Sequence, residues 1–536
     1  MTRAPLPSLL LWLAAATSAA GLGCGLNQEG VRPRPEIISY PASAVTDATG
    51  EWLFIANSNA DLRYNDGTLV ALRLARARED RLNRGVTVDG TFVPAETCPR
   101  VNYVRPLSES PDFCCVDPLD PYVLNCDERR YVERGSTVRI GSFAAGMVRQ
   151  DPPCSIDPHT PDPIDQCQTC TGSASQGTSR LLIAVRGDTS LTYVDVKPET
   201  TDADGNINPL VFDCVGDSTD GSNGDEPFPS CDDDHRIVET ESALALASPD
   251  PDPPLVRFPD EPYALAIDKE KGLLYVGHLA GATNRPGSGG VSLFDVAAVN
   301  DVMKPPRFIA SFPIFAANST GLMGVTSLRS EPGRGVFATS RYLPMVTGLA
   351  STTALGCPLR KSDMEPIREI AVFGNGETFT TSLTGSETRS IQFVKSRVTK
   401  QDDQGNRFEA EVEHAFVLQR VPPAVVDFYN GIPNQVIEVC QSPTFLEKNK
   451  ADGRLFVNCF DSGEVYVIDP FVPRVERIFN VGRGPASIVF PVEDPPTVAY
   501  VVGFSDNNIS VIDIAPGSPS QYHVVQRIGF PNTVPR

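Results

Sequence analysis

An all-β chain built from repeated four-stranded units is what this sequence predicts, and three observations predict it. Short apolar runs rich in β-branched residues recur between turns of aspartate, glycine and asparagine. Long helical periodicity is missing, and residues 72–82 are the one stretch that suits a short helix. The segments 454–469 (RLFVNCFDSGEVYVID) and 498–513 (VAYVVGFSDNNISVID) superimpose without a gap at an offset of 44 residues, so Phe460 falls on Phe504 and Asp469 on Asp513. A fixed period near that length marks a blade repeated around a ring, so the expected fold is a β-propeller.

From the beginning of the chain, residues 1–23 read as an export signal. Arg3 gives the positive start, residues 9–16 (LLLWLAAA) the apolar core, and residues 18–23 the small side chains before a cut. That core is too short to span a bilayer, which takes about 18 apolar residues. Cys24 closes the sequence Gly21-Leu22-Gly23-Cys24, which resembles the lipobox of bacterial lipoproteins, although its leucine stands two places before the cysteine instead of three. The resemblance implies acylation of Cys24. Gly25 lacks the aspartate that retains such proteins at the inner membrane, so an outer-membrane or cell-surface location is implied as well. Plain cleavage after Ala20 is the alternative. With Cys24 set aside, 12 of the 13 cysteines remain, an even number suited to disulfides in an oxidising compartment. Residues 24–35 form a linker, and the propeller is expected over 36–536.

Seven paired runs follow. They are 52–56 with 69–72, 181–195, 274–279 with 291–295, 335–340 with 370–373, 415–419 with 424–428, 454–469 and 498–513. Seven copies predict seven blades. A proline-led run precedes several of them, as in 41–46 (PASAVT), 262–267 (PYALAI) and 485–490 (PASIVF), and a further apolar stretch precedes the proline at 36–40, 255–258 and 475–481. Each unit therefore has an outer strand, a crossover at the proline, and three inner strands. Unbroken apolar runs suit sheets covered on both faces. At the closure of the ring, 36–40 and 522–528 compete for one outer position.

The run Tyr500-Val501-Val502-Gly503, followed by Asn508-Ile509-Ser510-Val511-Ile512-Asp513, resembles the YVTN-type propeller repeat of prokaryotic surface-layer and envelope proteins, with Val502 and Gly503 in place of its Thr-Asn pair. Related seven-bladed rings occur in the lactonase family. The resemblance is specific over 255–295 and 435–513 and diffuse elsewhere.

Strand order within an up-and-down blade A-B-C-D sends the A–B and C–D connections to one face. The insertions 76–135, 150–178 and 198–253 fall on such connections, and they carry Cys98, Cys114, Cys115, Cys126, Cys154, Cys167, Cys170, Cys214 and Cys231. Long loops without a core are economically ordered by cross-links, so these insertions are expected to form one disulfide-stapled cap. Cys440 and Cys459 fall on the opposite face of one blade and are expected to pair. Cys357, placed in a B–C insertion of the fourth blade, joins them, which leaves odd numbers on both faces.

Chemistry is sparsely marked. The pair Cys167–Cys170 is a C-x-x-C, but Thr171 stands where haem attachment needs histidine, and no second pair completes a zinc knuckle. A structural disulfide is the expectation. Acidic loops at 202–208, 217–226 and 232–234 suggest calcium, but Thr200 and Val211 break the EF-hand pattern. No cofactor is expected, with calcium in those loops as the alternative. His278 is the one histidine placed near the ring mouth. A lactonase-like activity would need acidic, histidine or arginine residues converging on a mouth, and no motif marks them. With 46 basic and 67 acidic residues, the formal charge of −21 excludes nucleic acid as a main partner.

The expected function is that of a non-enzymatic envelope lipoprotein whose propeller binds a protein, glycan or small molecule and touches the membrane only through its lipid. A lactonase-like or other hydrolase is the alternative, and a self-associating surface-layer component is a third.

Overall fold

The computed structural model describes residues 33–61, 64, 66–98, 113–151, 178–202, 205–214, 230–241, 255–269, 272–279, 290–296, 305–312, 324–350, 374–380, 387–401, 404, 406–491 and 496–529. The chain is all-β and propeller-like. Among the described residues, seven antiparallel meanders follow one another, each of four strands in chain order, A to D. The A and B strands are Pro41–Thr46 and Trp52–Asn57, Ala144–Gln150 and Ser179–Val185, Pro262–Asp268 and Leu273–His278, Val325–Glu331 and Gly335–Ser340, Glu387–Gln401 and Arg407–Val421, Pro443–Lys448 and Leu455–Cys459, Pro485–Val489 and Val498–Gly503. The C and D strands are Gly67–Arg73 and Val132–Ile140, Ser190–Lys197 with a D strand split into Val211–Asp213 and Arg236–Ile237, Val291–Asp295 and Arg307–Phe312, Met345–Ala350 and Gly374–Thr380, Ala424–Tyr429 and Ile432–Glu438, Glu464–Asp469 and Arg474–Asn480, Asn508–Asp513 and Val524–Ile528. Successive A strands pack against one another, and the A strand of the seventh sheet packs against that of the first.

Side chains on both faces of the B and C strands are buried between neighbouring sheets, which is why the runs are apolar without alternation. The aspartate closing many C strands has a local task. Asp469 Oδ1 accepts from the backbone of Phe471 at 3.0 Å, and Asp513 Oδ1 from that of Ala515 at 2.9 Å, so each carboxylate organises the turn into strand D.

Several expectations change. The fourth C strand is Met345–Ala350, not 370–373; its Thr347 and Gly348 interrupt the apolar run and hide it. Cys357 thus falls between strands C and D instead of B and C, which leaves ten cysteines on one kind of connection and two on the other, both even. Residues 36–40 form no strand. The backbone there is held by side-chain amides, Ser39 N donating to Asn57 Oδ1 at 3.1 Å and Tyr40 N to Asn507 Oδ1 at 2.6 Å, and Val524–Ile528 takes the outer place of the last sheet. The stretch Leu255–Arg257 pairs with Glu239–Glu241 as a separate ribbon, because the split D strand already fills the edge of the second sheet.

The described parts of the first and third insertions run along sheet edges instead of forming a lid over one face. The first carries the helix Leu74–Asn83 and then lays three short strands on the outer edge of the seventh sheet, Leu124–Cys126 running parallel to Val524–Ile528. Bridges Cys98–Cys115 and Cys114–Cys126 staple it there. In the third insertion, Cys214–Cys231 closes the loop that splits strand D, and both cysteines pack into the core shared by the first and second sheets. These segments make a collar around the outer edges of the seventh, first and second sheets. The physical reason is that a sheet edge offers unpaired backbone groups and an apolar flank, whereas a face offers only turns. Cys154, Cys167, Cys170, Cys357 and Cys24 lie outside the described residues, as does the insertion 152–177.

Candidate functional site

One end of the A strands collects chemistry because all seven begin in the same way. Six of the A strands shift register just after their first residue, and the fifth after both its first and its second, leaving the next one or two residues unpaired as a bulge. The residue before strand A accepts a hydrogen bond from the backbone N–H of the residue after strand B. This pairs Ser58 with Tyr40, Arg186 with Phe143, Leu279 with Glu261, Arg341 with Gly324, Phe460 with Ser442 and Phe504 with Gly484. In the fifth sheet the register Thr388↔Gln419 puts Glu387 and Arg420 in the corresponding places and Arg389 at the bulge.

This repeated junction fixes the backbone. Tyr40, Phe143, Glu261 and Ser442 adopt positive φ of 48–60°, a conformation disfavoured for residues with a Cβ and held here by the junction. At Gly324 a Cβ would come within 2.0 Å of the Leu279 carbonyl oxygen, so only glycine fits.

Side chains from the second to fifth sheets converge at this mouth. Arg186 Nη2 lies 3.5 Å from Glu261 Oε1, and its guanidinium is 6.0 Å from the ring of Tyr263, the bulge residue of the third sheet. Glu387 pairs with Arg389 and, at 3.7 Å, with Arg420. Burial pulls the Arg389 guanidinium below its usual pKa; Glu387 and then Tyr263 oppose that, while Arg420 and Arg341 add to it. Residues from the third, fourth and fifth sheets are thus within electrostatic reach of one another. Four arginines against two glutamates leave a local surplus of two positive charges on a chain of formal charge −21. The Nε atoms of Arg186 and Arg389 are buried with no hydrogen-bond acceptor among the described residues. Such donors suit a carboxylate or phosphate oxygen.

The opposite end of the A strands is bridged. Arg329 Nη1 in the fourth sheet donates to both carboxylate oxygens of Glu447 in the sixth, at 2.9 and 3.0 Å. Lys269 pairs with Asp151 near the same end. At that end too a guanidinium nitrogen, Arg329 Nε, is buried without an acceptor among the described residues.

The residues singled out from sequence take other roles. His278 is sealed inside the third sheet, with Nε2 2.8 Å from Ser292 Oγ, Nδ1 3.1 Å from the Asp260 carbonyl and Phe258 edge-on at 5.1 Å. Burial drives its pKa down to about 4, so at this end of strand B it is a neutral packing residue and not a base. Cys440 and Cys459 are bonded to each other in the sixth sheet. Asp202 accepts from the backbone and the side chain of Asn206, and among the described residues no group of three or more potential metal ligands occurs. The mouth arginines carry no motif, and sequence reasoning missed them. One signal was present: in the ungapped match of 181–195 to 499–513, Arg186 falls on Phe504, the first residue after strand B.

Bonds between Cys98 and Cys115, Cys114 and Cys126, Cys214 and Cys231, and Cys440 and Cys459 point to an extracytoplasmic, oxidising compartment. Among the described residues no helix is long and apolar enough to cross a membrane.

No protein-family model matches this chain, and no curated protein sequence does. Among solved structures it is similar to the hydrazine synthase of Kuenenia stuttgartiensis, at 9% identity over 92% of this chain and 99% of that one, with a TM-score of 0.40. It is also similar to the periplasmic gluconolactonase of Pseudomonas aeruginosa, at 16% identity over 66% of this chain and 84% of that one, with a TM-score of 0.37.

Proposed function

We propose that this chain is an envelope binding protein: a closed seven-bladed propeller of the YVTN type, anchored through a lipid on Cys24, whose arginine-lined mouth holds a small organic anion. Closure is supported by the packing of the seventh A strand on the first. The observation that carries the binding reading is the convergence of Arg186, Arg341, Arg389 and Arg420 at one end of the inner strands, with two buried guanidinium Nε atoms lacking acceptors. Binding is favoured over lactonase-like turnover because Glu261 and Glu387 are each engaged by arginine and His278 is sealed away, which leaves no poised base in that cluster.

The test is calorimetric titration of the protein with acetate, succinate, benzoate and inorganic phosphate. At least one anion should bind, more weakly as salt rises, and Arg389→Gln should weaken it roughly tenfold or more, the worth of one charge-assisted hydrogen bond. Equal binding by wild type and Arg389→Gln, or no binding of any of the four, overturns the reading.

A further inference from the structure

The mouth has two unlike sectors on one rung. In the fourth and fifth sheets the residue after strand B is an arginine, Arg341 or Arg420, whereas in the sixth and seventh it is Phe460 or Phe504. Tyr40, which precedes the first A strand, extends the second sector: its ring lies 5.4 Å from that of Phe504, which in turn lies 6.0 Å from Phe460. All three aromatic residues are only partly buried. The rung is set by the repeated backbone hydrogen bond and not by side-chain packing, so Arg420 and Phe460 are neighbours at equal depth. Nothing in the fold requires aromatic residues there, since Ser58 and Leu279 fill the same position in the first and third sheets.

We infer that the ligand is an anion carrying a flat, apolar body, such as an aromatic carboxylate: its charge is taken by Arg341, Arg389 and Arg420, and its body lies against Phe460, Phe504 and Tyr40. This rests on the anion-binding reading above. Guanidinium forks match the two oxygens of a carboxylate. Aromatic side chains gain from offset or edge-on contact with a flat partner and bind a saturated polar chain less well.

The experiment compares 1-naphthoate with acetate by calorimetry, at one salt concentration, on the full chain. Wild type should bind 1-naphthoate about tenfold or more tightly than acetate, as expected for one or two aromatic contacts plus buried apolar area. Phe504→Leu and Phe460→Leu, which keep apolar bulk if alanine disturbs folding, should shrink that ratio several-fold and leave acetate affinity alone. Arg389→Gln should weaken both ligands and keep the ratio. Equal affinities for the two anions in wild type, or a ratio unchanged in Phe460→Leu/Phe504→Leu, overturns the inference and leaves the anion site standing. Absence of 1-naphthoate binding overturns the inference, and the anion reading falls with it only if none of the four anions above binds either.

Discussion

The outer edges of the sheets are treated in two opposite ways. The seventh, first and second are wrapped by the collar, with the Leu74–Asn83 helix, three bridges and the added strands packed into shared cores. The fifth and sixth are bare. Strand Ile432–Glu438 is exposed at nearly every residue, and Ile478 and Phe471 of the sixth sheet are about half exposed, at 51% and 50%. The covered stretch includes the place where the chain ends meet. Each four-stranded meander draws its A to D strands from one stretch of chain, so no exchange within the meanders ties the seventh to the first. The first insertion leaves the first sheet and pairs with the edge of the seventh, supplying the link that strand order omits. Collar and bare edge should therefore differ sharply in what a substitution costs.

The largest effect is expected at Asp80. Its carboxylate, almost fully buried, accepts from Arg130 Nη2 and from the Tyr131 hydroxyl, both at 2.9 Å, while Gln526 of the last strand donates to the same hydroxyl at 3.4 Å. One buried ion pair thus joins the helix, the stapled insertion and the closing strand. Asp80→Ala removes the carboxylate from a buried guanidinium, and such breaks cost about 3–5 kcal/mol. A fall of that size in urea-unfolding stability is the expected result. A change under about 1 kcal/mol, the range of surface pairs, would erase the contrast between the two edges.

The third sheet, beyond the collar, carries a titratable prediction. Phe258, at the end of the third insertion, closes over His278. The folded pKa of His278, about 4, lies below the ordinary histidine value of about 6.5, so between these values the unfolded chain binds a proton that the folded one does not. The resulting stability is complete above about pH 6.5 and is lost as pH falls toward 4, by about 3 kcal/mol in all. Unfolding titrations over that range should show a steeper decline for wild type than for His278→Gln. Parallel curves would mean the ring is not sealed.

Much of this architecture was legible, and the reason is physical. Strands buried on both faces must be apolar throughout, so runs such as 498–503 and 508–513 announce themselves, and the aspartate after them is needed by its turn. The fourth sheet hid its C strand because Thr347 and Gly348 dilute the pattern, and that single slip misplaced Cys357. The collar was misread because strand order tells where a connection leaves a sheet and not which edge it then covers. The mouth was illegible for a further reason: its four arginines come from three repeats, stand 31 to 155 positions from one to the next, and become a site only when the bulged junction is known.

The smallest effect belongs to the bare side. Arg454 Nε lies 2.5 Å from Glu476 Oε2 in the sixth sheet, and that hydrogen bond raises the arginine pKa against the burial that would lower it. Both side chains keep more than a quarter of their exposure, so water and salt screen the pair. Glu476→Gln should therefore cost less than about 1 kcal/mol, and raising salt from about 0.05 to about 0.5 M should shrink even that difference. The geometry here resembles that of Arg130 with Asp80, and only the surroundings differ. A loss near that of Asp80→Ala would show that distance, not cover, sets the worth of an ion pair in this molecule, and the collar would then be no stronger a link than the edges it leaves open.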